Sequence, residues 1–153
     1  MTLFLRKAVK SDLQVILENE QAAYPIPWTP TMLSDSFAEQ YQFFVVCLNQ
    51  PQEVIGHMIL QPILDECHLL NICIRPSEQG RGFGKQVLQK WFELAEQQQW
   101  TTLWLEVRES NQVAQSLYSS MGFEHIATRK DYYSAGQGKR EAGWLMSKLM
   151  HSS

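Results

Sequence analysis

The chain has 153 residues, of which 44% are hydrophobic, 11% aromatic and 19% charged. This length fits one domain, which would bury about 68–70% of the surface that its unfolded chain exposes. The composition excludes disordered and fibrous classes. A formal net charge of −3 argues against nucleic acid as a partner, because such binding depends on neutralising phosphates. We therefore expect one domain spanning residues 1–153.

Neither a membrane span nor an export signal is evident. No apolar run approaches the roughly 20 residues that cross a bilayer. The N-terminus places its apolar residues before Arg6 and Lys7, the reverse of a signal peptide. The three cysteines, Cys47, Cys67 and Cys73, lack a C-x-x-C spacing and support neither a disulfide framework nor a structural zinc site. We expect a cytoplasmic protein with reduced thiols and no membrane partner.

Hydrophobic periodicity and turn residues predict alternating strands and helices. The chain begins with a strand at 2–8, a helix capped by Ser11 or Asp12, and a short helix that is capped by Thr29 and runs from Pro30 to about Gln40. Strands follow at 41–48 and 53–62, joined by a turn at 49–52, and then a strand at 66–75 and a helix after Gly84. The last elements are a strand at 101–107, a helix capped by Ser110 or Asn111 and ended by Gly122, and strands at 123–129 and 143–150. This order predicts a mixed α/β fold, in which an antiparallel meander precedes a parallel strand-helix-strand unit. Ligands commonly enter open sheets where the connectivity changes direction.

The segment Gln79-Gly-Arg-Gly-Phe-Gly84 lies between a predicted strand and a helix N-terminus. Unpaired backbone N–H groups and the helix dipole favour a pyrophosphate there, and Arg81 adds a charged donor. The alternative is that the glycines only form a turn. A dinucleotide fingerprint requires a third glycine where Lys85 stands, and a P-loop requires four residues between its glycines. We set those two motifs aside.

Two spaced patterns occur in order along the chain. Gln79 to Gly84 fit Arg/Gln-x-x-Gly-x-Gly/Ala after a strand, and Asn111 is followed by Ala114, Leu117-Tyr118 and Gly122-Phe123. Both resemble motifs of the GCN5-related N-acetyltransferase (GNAT) family. The resemblance implies acetyl-CoA as cosubstrate. It also implies a GNAT fold, a mostly antiparallel mixed sheet of about seven strands flanked by four helices, with a splayed parallel strand pair.

Further runs cover nearly the whole chain: Pro27-Trp28, Leu70-Asn-Ile-Cys-Ile74, Thr102-Leu-Trp-Leu-Glu-Val-Arg108, Ser110-Asn111 and Arg129-Lys-Asp-Tyr-Tyr133. These resemble the bacterial ribosomal-protein-alanine N-acetyltransferases, which implies that the partner is the N-terminal peptide of a small-subunit ribosomal protein, acetylated at its alanine by direct transfer. The chain departs from that pattern in the loop 134–140, which carries no proline, and at Gly143-Trp144.

By resemblance, Glu106 is the general base and Tyr118 the acid that protonates the coenzyme A thiolate. Glu106 ends an apolar strand, where partial burial suits a carboxylate that accepts a proton. The alternative is a surface carboxylate paired with Arg108 or Lys90. Tyr118 lies on the apolar face of its helix, so it could instead be a core tyrosine.

The expected cofactor contacts fall on one strand, the glycine loop and one helix start. They are Ile72, Cys73, Ile74, Gln79, Gly80, Arg81, Gly82, Phe83, Gly84, Lys85 and Asn111. The strand backbone is expected to hydrogen-bond the acetyl-pantetheine arm, and an N–H there can also stabilise the oxyanion. Asn111 could equally be a helix cap, and Cys73 is interpreted as a buried hydrophobe rather than a nucleophile. Trp28, Tyr132 and Tyr133 are the expected acceptor-side residues.

No metal site is expected, because His57, His68 and His125 are scattered on predicted strands and Glu66-Cys-His68 is too short a cluster. Two alternatives to N-terminal acetylation remain open at this stage. One is acetylation of a lysine side chain or a small amine. The other is a coenzyme A-binding module without turnover. The sequence does not determine the oligomeric state, although a monomer is expected.

Overall fold

The structure, a computed structural model, describes residues 2–48 and 52–150. Within them, the seven strands are β1 (Leu3–Lys7), β2 (Gln42–Leu48), β3 (Glu53–Ile63), β4 (Glu66–Ile74), β5 (Thr102–Arg108), β6 (Glu124–Gly136) and β7 (Lys139–Leu149). The four α-helices of the same ranges are α1 (Leu13–Ala23), α2 (Pro30–Asp35), α3 (Phe83–Gln98) and α4 (Gln112–Ser120). Across the described ranges, no helix combines the length and apolar character needed to cross a membrane.

All seven strands form one sheet in the order β1-β2-β3-β4-β5-β7-β6. Neighbouring strands are antiparallel except β4 and β5, which are parallel. The connectivity explains the parallel pair, because β4 and β5 are joined through the crossover helix α3, whereas short turns join the antiparallel pairs β3–β4 and β6–β7. The predicted mixed α/β fold and its parallel strand-helix-strand unit are confirmed.

The parallel pair is splayed. Pairing runs from Glu66 opposite Thr102 to Leu69 opposite Leu105, whereas β4 continues to Ile74. Beyond Leu69 the two strands part, and the β4 edge that faces β5 is free of ladder partners there. An opening therefore forms in the middle of the sheet, as the sequence predicted.

Apolar side chains pack on both faces of the sheet. One core cluster joins the sheet to α3 and α4, with Trp91 fully buried at its centre. The other joins the sheet to α1 and α2, around Ile16 and Leu33. Each face of the sheet is therefore covered by one pair of helices.

One predicted cap contact and one predicted helix end differ from expectation, although Asp12 does hold the N-cap position of α1. Asp12 makes no side-chain cap to α1; its carboxylate instead accepts from the N–H of Val9 at 2.8 Å and pairs with Arg6. The second helix stops at Asp35 rather than near Gln40. There Ser36 Oγ donates to the carbonyl of Met32, which competes with the regular helical pattern and favours the tighter turns that follow. Thr29 caps α2 as predicted.

The last two strands are longer than predicted. Instead of 123–129 and 143–150 they reach Gly136 and Lys139 and form one long hairpin. Its two-residue turn has positive φ at both Gln137 and Gly138, the backbone of a type I′ turn, whose twist matches the flanking strands. The predicted turn at 49–52 falls on residues 49–51, which lie outside the described ranges.

Candidate active site

Two cavities meet at the splay between β4 and β5. The first has a volume of about 650 Å³ and the second about 710 Å³. The residues that line both are Tyr24, Ile26, Ile72, Arg108, Asn111 and Tyr118. Because these shared walls belong to four different segments of the chain, the fold alone brings the two cavities together.

The second cavity extends to the glycine loop at the start of α3. Gln79, Gly80 and Gly84 line it, together with the apolar face of α4. Gly80 and Gly82 have φ of +78° and +80°, which favours glycine at both positions. The helix begins directly after Gly82, so its free N–H groups lie beside the cavity. This arrangement suits a phosphate group.

Four predicted loop residues line neither cavity: Gly82 and the three side chains of Arg81, Phe83 and Lys85. Arg81 is exposed and pairs with Glu78, and its guanidinium lies 5.3 Å from the centre of the Phe83 ring. Phe83 itself is buried in the core. Lys85 is exposed on the first turn of α3.

The free edge of β4 carries two capped carbonyls. The Tyr24 hydroxyl donates to the carbonyl of Ile72, and the Gln79 side-chain amide donates to that of Ile74 at 2.8 Å. Cys73 instead pairs with His57 of β3. Its side chain is buried, and burial raises the pKa of the thiol, as expected for a hydrophobe rather than a nucleophile.

Asn111, at the N-cap of α4, and Tyr118, within that helix, both line the two cavities where they meet. Asn111 caps the helix, since its Oδ1 accepts from the N–H of Ala114 at 3.1 Å, and it also lines both cavities. Tyr118 is 6% exposed, and burial raises the pKa of its hydroxyl to about 12. The hydroxyl therefore keeps its proton at neutral pH.

Glu106 lies on β5 and lines the first cavity. Its Oε1 is 3.6 Å from Nη1 of Arg129, and 22% of its side chain is exposed. The alternative partners considered from sequence are engaged elsewhere: Arg108 pairs with Glu141 at 2.9 Å and Lys90 with Glu93 at 3.8 Å. Glu106 is therefore a partly accessible carboxylate facing a cavity.

The predicted acceptor-side aromatics meet at this cavity. Trp28, Tyr132 and Tyr133 all line it. The two tyrosines pack edge to face, with ring centres 4.9 Å apart, and lie directly over Gly143. A Cβ at Gly143 would lie 2.7 Å from Cε2 of Tyr133. Gly143, one of the positions at which the sequence departs from the family pattern, thus allows the two tyrosine rings to approach the β7 backbone closely.

Sequence reasoning missed a buried carboxylate in the same cavity wall. Glu20 is 1% exposed; Oε1 lies 3.0 Å from Nε2 of His57 and accepts from Nδ2 of Asn71, while Oε2 accepts from the N–H of Trp28. Burial alone would raise the pKa of Glu20, but the hydrogen bonds from His57, Trp28 and Asn71 lower it. The available signal was its place four residues after Ile16, on the apolar stripe of α1.

Glu20 and His57 also lie near Cys73, with ligating atoms of all three within 4.8 Å of one another. Glu20 and His57 are hydrogen-bonded to each other. The thiol of Cys73 approaches the carbonyl of Asn19 at 3.5 Å, and its raised pKa disfavours the thiolate that a metal requires. The group therefore forms a buried polar network.

Chemically, a carboxylate, Glu106, lines the first cavity, and a protonated hydroxyl, Tyr118, lines both. The first cavity is lined by aromatic and acidic side chains, and the second leads to free helix N–H groups. This arrangement suits group transfer from a phosphate-bearing donor in the second cavity to a nucleophile in the first.

Comparisons with known proteins agree with this geometry. Residues 13–123 match the model of the acetyltransferase (GNAT) family. The [ribosomal protein bS18]-alanine N-acetyltransferase of Haemophilus influenzae is 40% identical over 89% of this chain and 91% of its own length. The crystal structure of the ribosomal-protein-S18-alanine N-acetyltransferase from Escherichia coli matches with a TM-score of 0.89 and 31% identity, over 99% of this chain and 96% of that one. A GNAT acetyltransferase from Elizabethkingia anophelis with acetyl-CoA bound shares the fold, with a TM-score of 0.79 at 17% identity over 97% of this chain and 98% of that one.

Proposed function

Since this chain belongs to the acetyltransferase (GNAT) family, we propose that it transfers the acetyl group of acetyl-CoA to the N-terminal α-amine of alanine in ribosomal protein bS18. The observation that carries the proposal is the pair of cavities that meet at Tyr118, with Glu106 in the wall of the first. Relatives that match most of the chain carry that activity in their names. We further propose that residues 1–153 act as one domain, in the cytoplasm.

The second cavity is the proposed site of the cosubstrate. Gly80, Gly82 and Gly84 leave the backbone open at the start of α3, and the free N–H groups there would hold the pyrophosphate. The N–H groups of Ile72 and Ile74, on the free edge of β4, would donate to the carbonyls of the pantetheine arm. Arg81 and Lys85 are exposed close by, where they would contribute positive charge.

The first cavity is the proposed acceptor site. Glu20 and Glu106 give it two carboxylates, which favour an incoming ammonium, and Trp28, Tyr132 and Tyr133 provide apolar walls. An α-amino group with a pKa of about 7.7–8.0 is partly neutral at cell pH, whereas a lysine near 10.4 requires far more help to lose its proton. The site therefore places a smaller demand on Glu106 when the acceptor is a chain terminus.

The proposed chemistry is a direct transfer. Glu106 accepts a proton from the amine, whose nitrogen forms the new C–N bond to the acetyl carbonyl carbon as the C–S bond breaks. Tyr118 gives its proton to the departing sulfur. The proton on Glu106 then passes to solvent, and Tyr118 regains one, so that no oxidant, reductant or acetyl-enzyme is required.

Mass spectrometry of one peptide tests the proposal. The peptide begins with alanine and contains an internal lysine, and a second version has a blocked N-terminus. Each is incubated with acetyl-CoA and the purified protein. We expect acetylation of the free α-amine only. Acetyl on lysine would identify a side-chain acetyltransferase, and acetyl on neither amine would contradict turnover on peptides.

A further inference from the structure

Where the two cavities meet, the backbone carbonyls of β4 are occupied by side chains. In an antiparallel pair, successive residues point their N–H and C=O alternately toward and away from the partner strand. Arg75 donates its N–H to the carbonyl of Ile55 on β3. By this alternation, Ile72 and Ile74 point their N–H and C=O groups away from β3 and toward the splay. There the carbonyls of both residues already accept from side chains, Tyr24 and Gln79 respectively.

Tyr24 reaches Ile72 because of how α1 ends. Its N–H closes the last turn onto the carbonyl of Glu20, and its own backbone is extended with φ of −126°. Pro25 follows, which favours an extended residue before it. The ring consequently leaves the helix between the two cavities and lines both. Burial raises the pKa of Tyr24, so its hydroxyl stays a hydrogen-bond donor.

We propose that Tyr24 is a positioning residue for acetyl transfer, whose hydroxyl caps the Ile72 carbonyl so that the β4 edge presents N–H donors, and no free carbonyl, to the acetyl thioester. A thioester carbonyl oxygen accepts hydrogen bonds and is repelled by another carbonyl oxygen, whereas a free thiol can donate a weak S–H bond to one. The cap therefore favours acetyl-CoA over coenzyme A at the junction. This inference rests on the proposed function and adds a residue to it.

Tyr24→Phe removes the hydroxyl and keeps the ring. An uncapped carbonyl in the cavity wall is expected to lower kcat about fivefold to tenfold, and to raise the ratio of the acetyl-CoA to the coenzyme A dissociation constant by a similar factor. The KM for the peptide should change little, because the acceptor side keeps its contacts. Replacement of Tyr24 by 4-aminophenylalanine, which restores an N–H donor at the ring para position, should recover both values.

The matched control is Tyr41→Phe. Tyr41 packs against the core cluster around Ile16 and Leu33 and lines neither cavity, so its variant should keep wild-type constants. Thermal unfolding of each variant, followed by circular dichroism, separates a loss of folding from a loss of positioning.

The deciding experiment combines calorimetric titration of acetyl-CoA and coenzyme A with steady-state rates on the alanine-initiated peptide. A lower kcat together with a raised ratio for Tyr24→Phe, recovered by 4-aminophenylalanine, supports the proposal. An unchanged ratio overturns it, whatever happens to kcat. If the wild type fails to acetylate the peptide, the proposed function fails, and the dissociation-constant ratio alone still decides the role of Tyr24.

Discussion

Arg129 holds its Nη1 3.6 Å from Oε1 of Glu106, at the edge of the first cavity. The guanidinium is about half exposed, with 49% of the side chain accessible, so water and salt screen the pair. At the proposed acceptor site, an incoming α-ammonium would approach the same carboxylate and meet this positive charge. We therefore expect Arg129 to compete with the acceptor before transfer.

Arg129→Gln should lower the KM for the peptide about twofold to threefold at low salt, and the difference should vanish at high salt. Steady-state rates at two ionic strengths check this. Lys130→Gln removes the same charge one residue away and should have a smaller effect. Equal effects of the two substitutions would assign the change to net charge rather than to the pair with Glu106.

Glu106→Gln keeps the shape of the side chain and removes the proton acceptor. We expect kcat to fall about 10²–10⁴-fold, the usual contribution of a positioned base, while the dissociation constant of acetyl-CoA stays the same. Glu93→Gln, on the exposed face of α3, is the control and should keep the wild-type rate. A Glu106→Gln rate within a few-fold of wild type would contradict the assignment of the base.

Tyr118→Phe removes the proposed acid. Because burial raises the pKa of Tyr118 to about 12, the wild-type hydroxyl stays protonated from about pH 7 to pH 10. The variant should therefore be slower by about 10²-fold or more throughout that range, with a constant ratio to wild type. A ratio that shrinks toward pH 10 would show that Tyr118 titrates earlier than its buried position predicts.

Glu20 should make the free energy of unfolding depend on pH in the acid range. Its pKa is lowered in the folded state from an ordinary value of 4.5, so its contribution is present above that value and is lost as the pH falls through the folded pKa. Glu20→Gln leaves donors of the network unpaired and should cost about 1–3 kcal/mol at neutral pH. Its unfolding free energy should then fall less steeply in acid than that of wild type.

Urea unfolding at several pH values measures this dependence. Glu18→Gln is the control, since Glu18 is exposed on the same helix, and its curve should follow wild type. Parallel acid dependence of Glu20→Gln and wild type would show that another group accounts for the loss of stability.

Gly143→Ala tests the close approach beneath the tyrosine pair. A Cβ there would lie 2.7 Å from Cε2 of Tyr133 and 3.1 Å from Cδ2 of Tyr132, so the rings must move. We expect the KM for the peptide to rise several-fold, by about 1 kcal/mol of lost acceptor binding, with unchanged acetyl-CoA affinity. Ser147→Ala, further along β7, should change neither. A rise in the dissociation constant of acetyl-CoA, in place of a rise in the KM for the peptide, would assign the two tyrosines to the second cavity.

The fold was largely predictable because its signals are local. The apolar stripe of α3, the Thr29 and Asn111 caps and the glycines after β4 each indicate an element from neighbouring residues. The parallel pair follows from the helix between its strands. Local signals failed at Ser36, where a side chain competes with the backbone for hydrogen bonds. They also failed around the two-residue turn at Gln137 and Gly138, because the strand residues on either side have a sequence typical of a loop.

The site was only partly predictable, because much of it depends on long-range contacts. Tyr118 and Glu106 stand in motifs, and the sequence indicates them. Glu20 and Tyr24 do not: their partners His57 and Ile72 are distant in sequence, and only the folded sheet brings them together. A carboxylate on an apolar helix stripe is the one local sign that Glu20 is buried.

The central claim is transfer to one chain terminus. The most direct measurement incubates the protein and isotope-labelled acetyl-CoA with the unacetylated proteins of the small ribosomal subunit, then locates the label by mass spectrometry. We expect label on the N-terminal alanine of bS18, with wild-type protein and not with Glu106→Gln. Label on lysine side chains, on other N-termini to the same extent, or on none would contradict it.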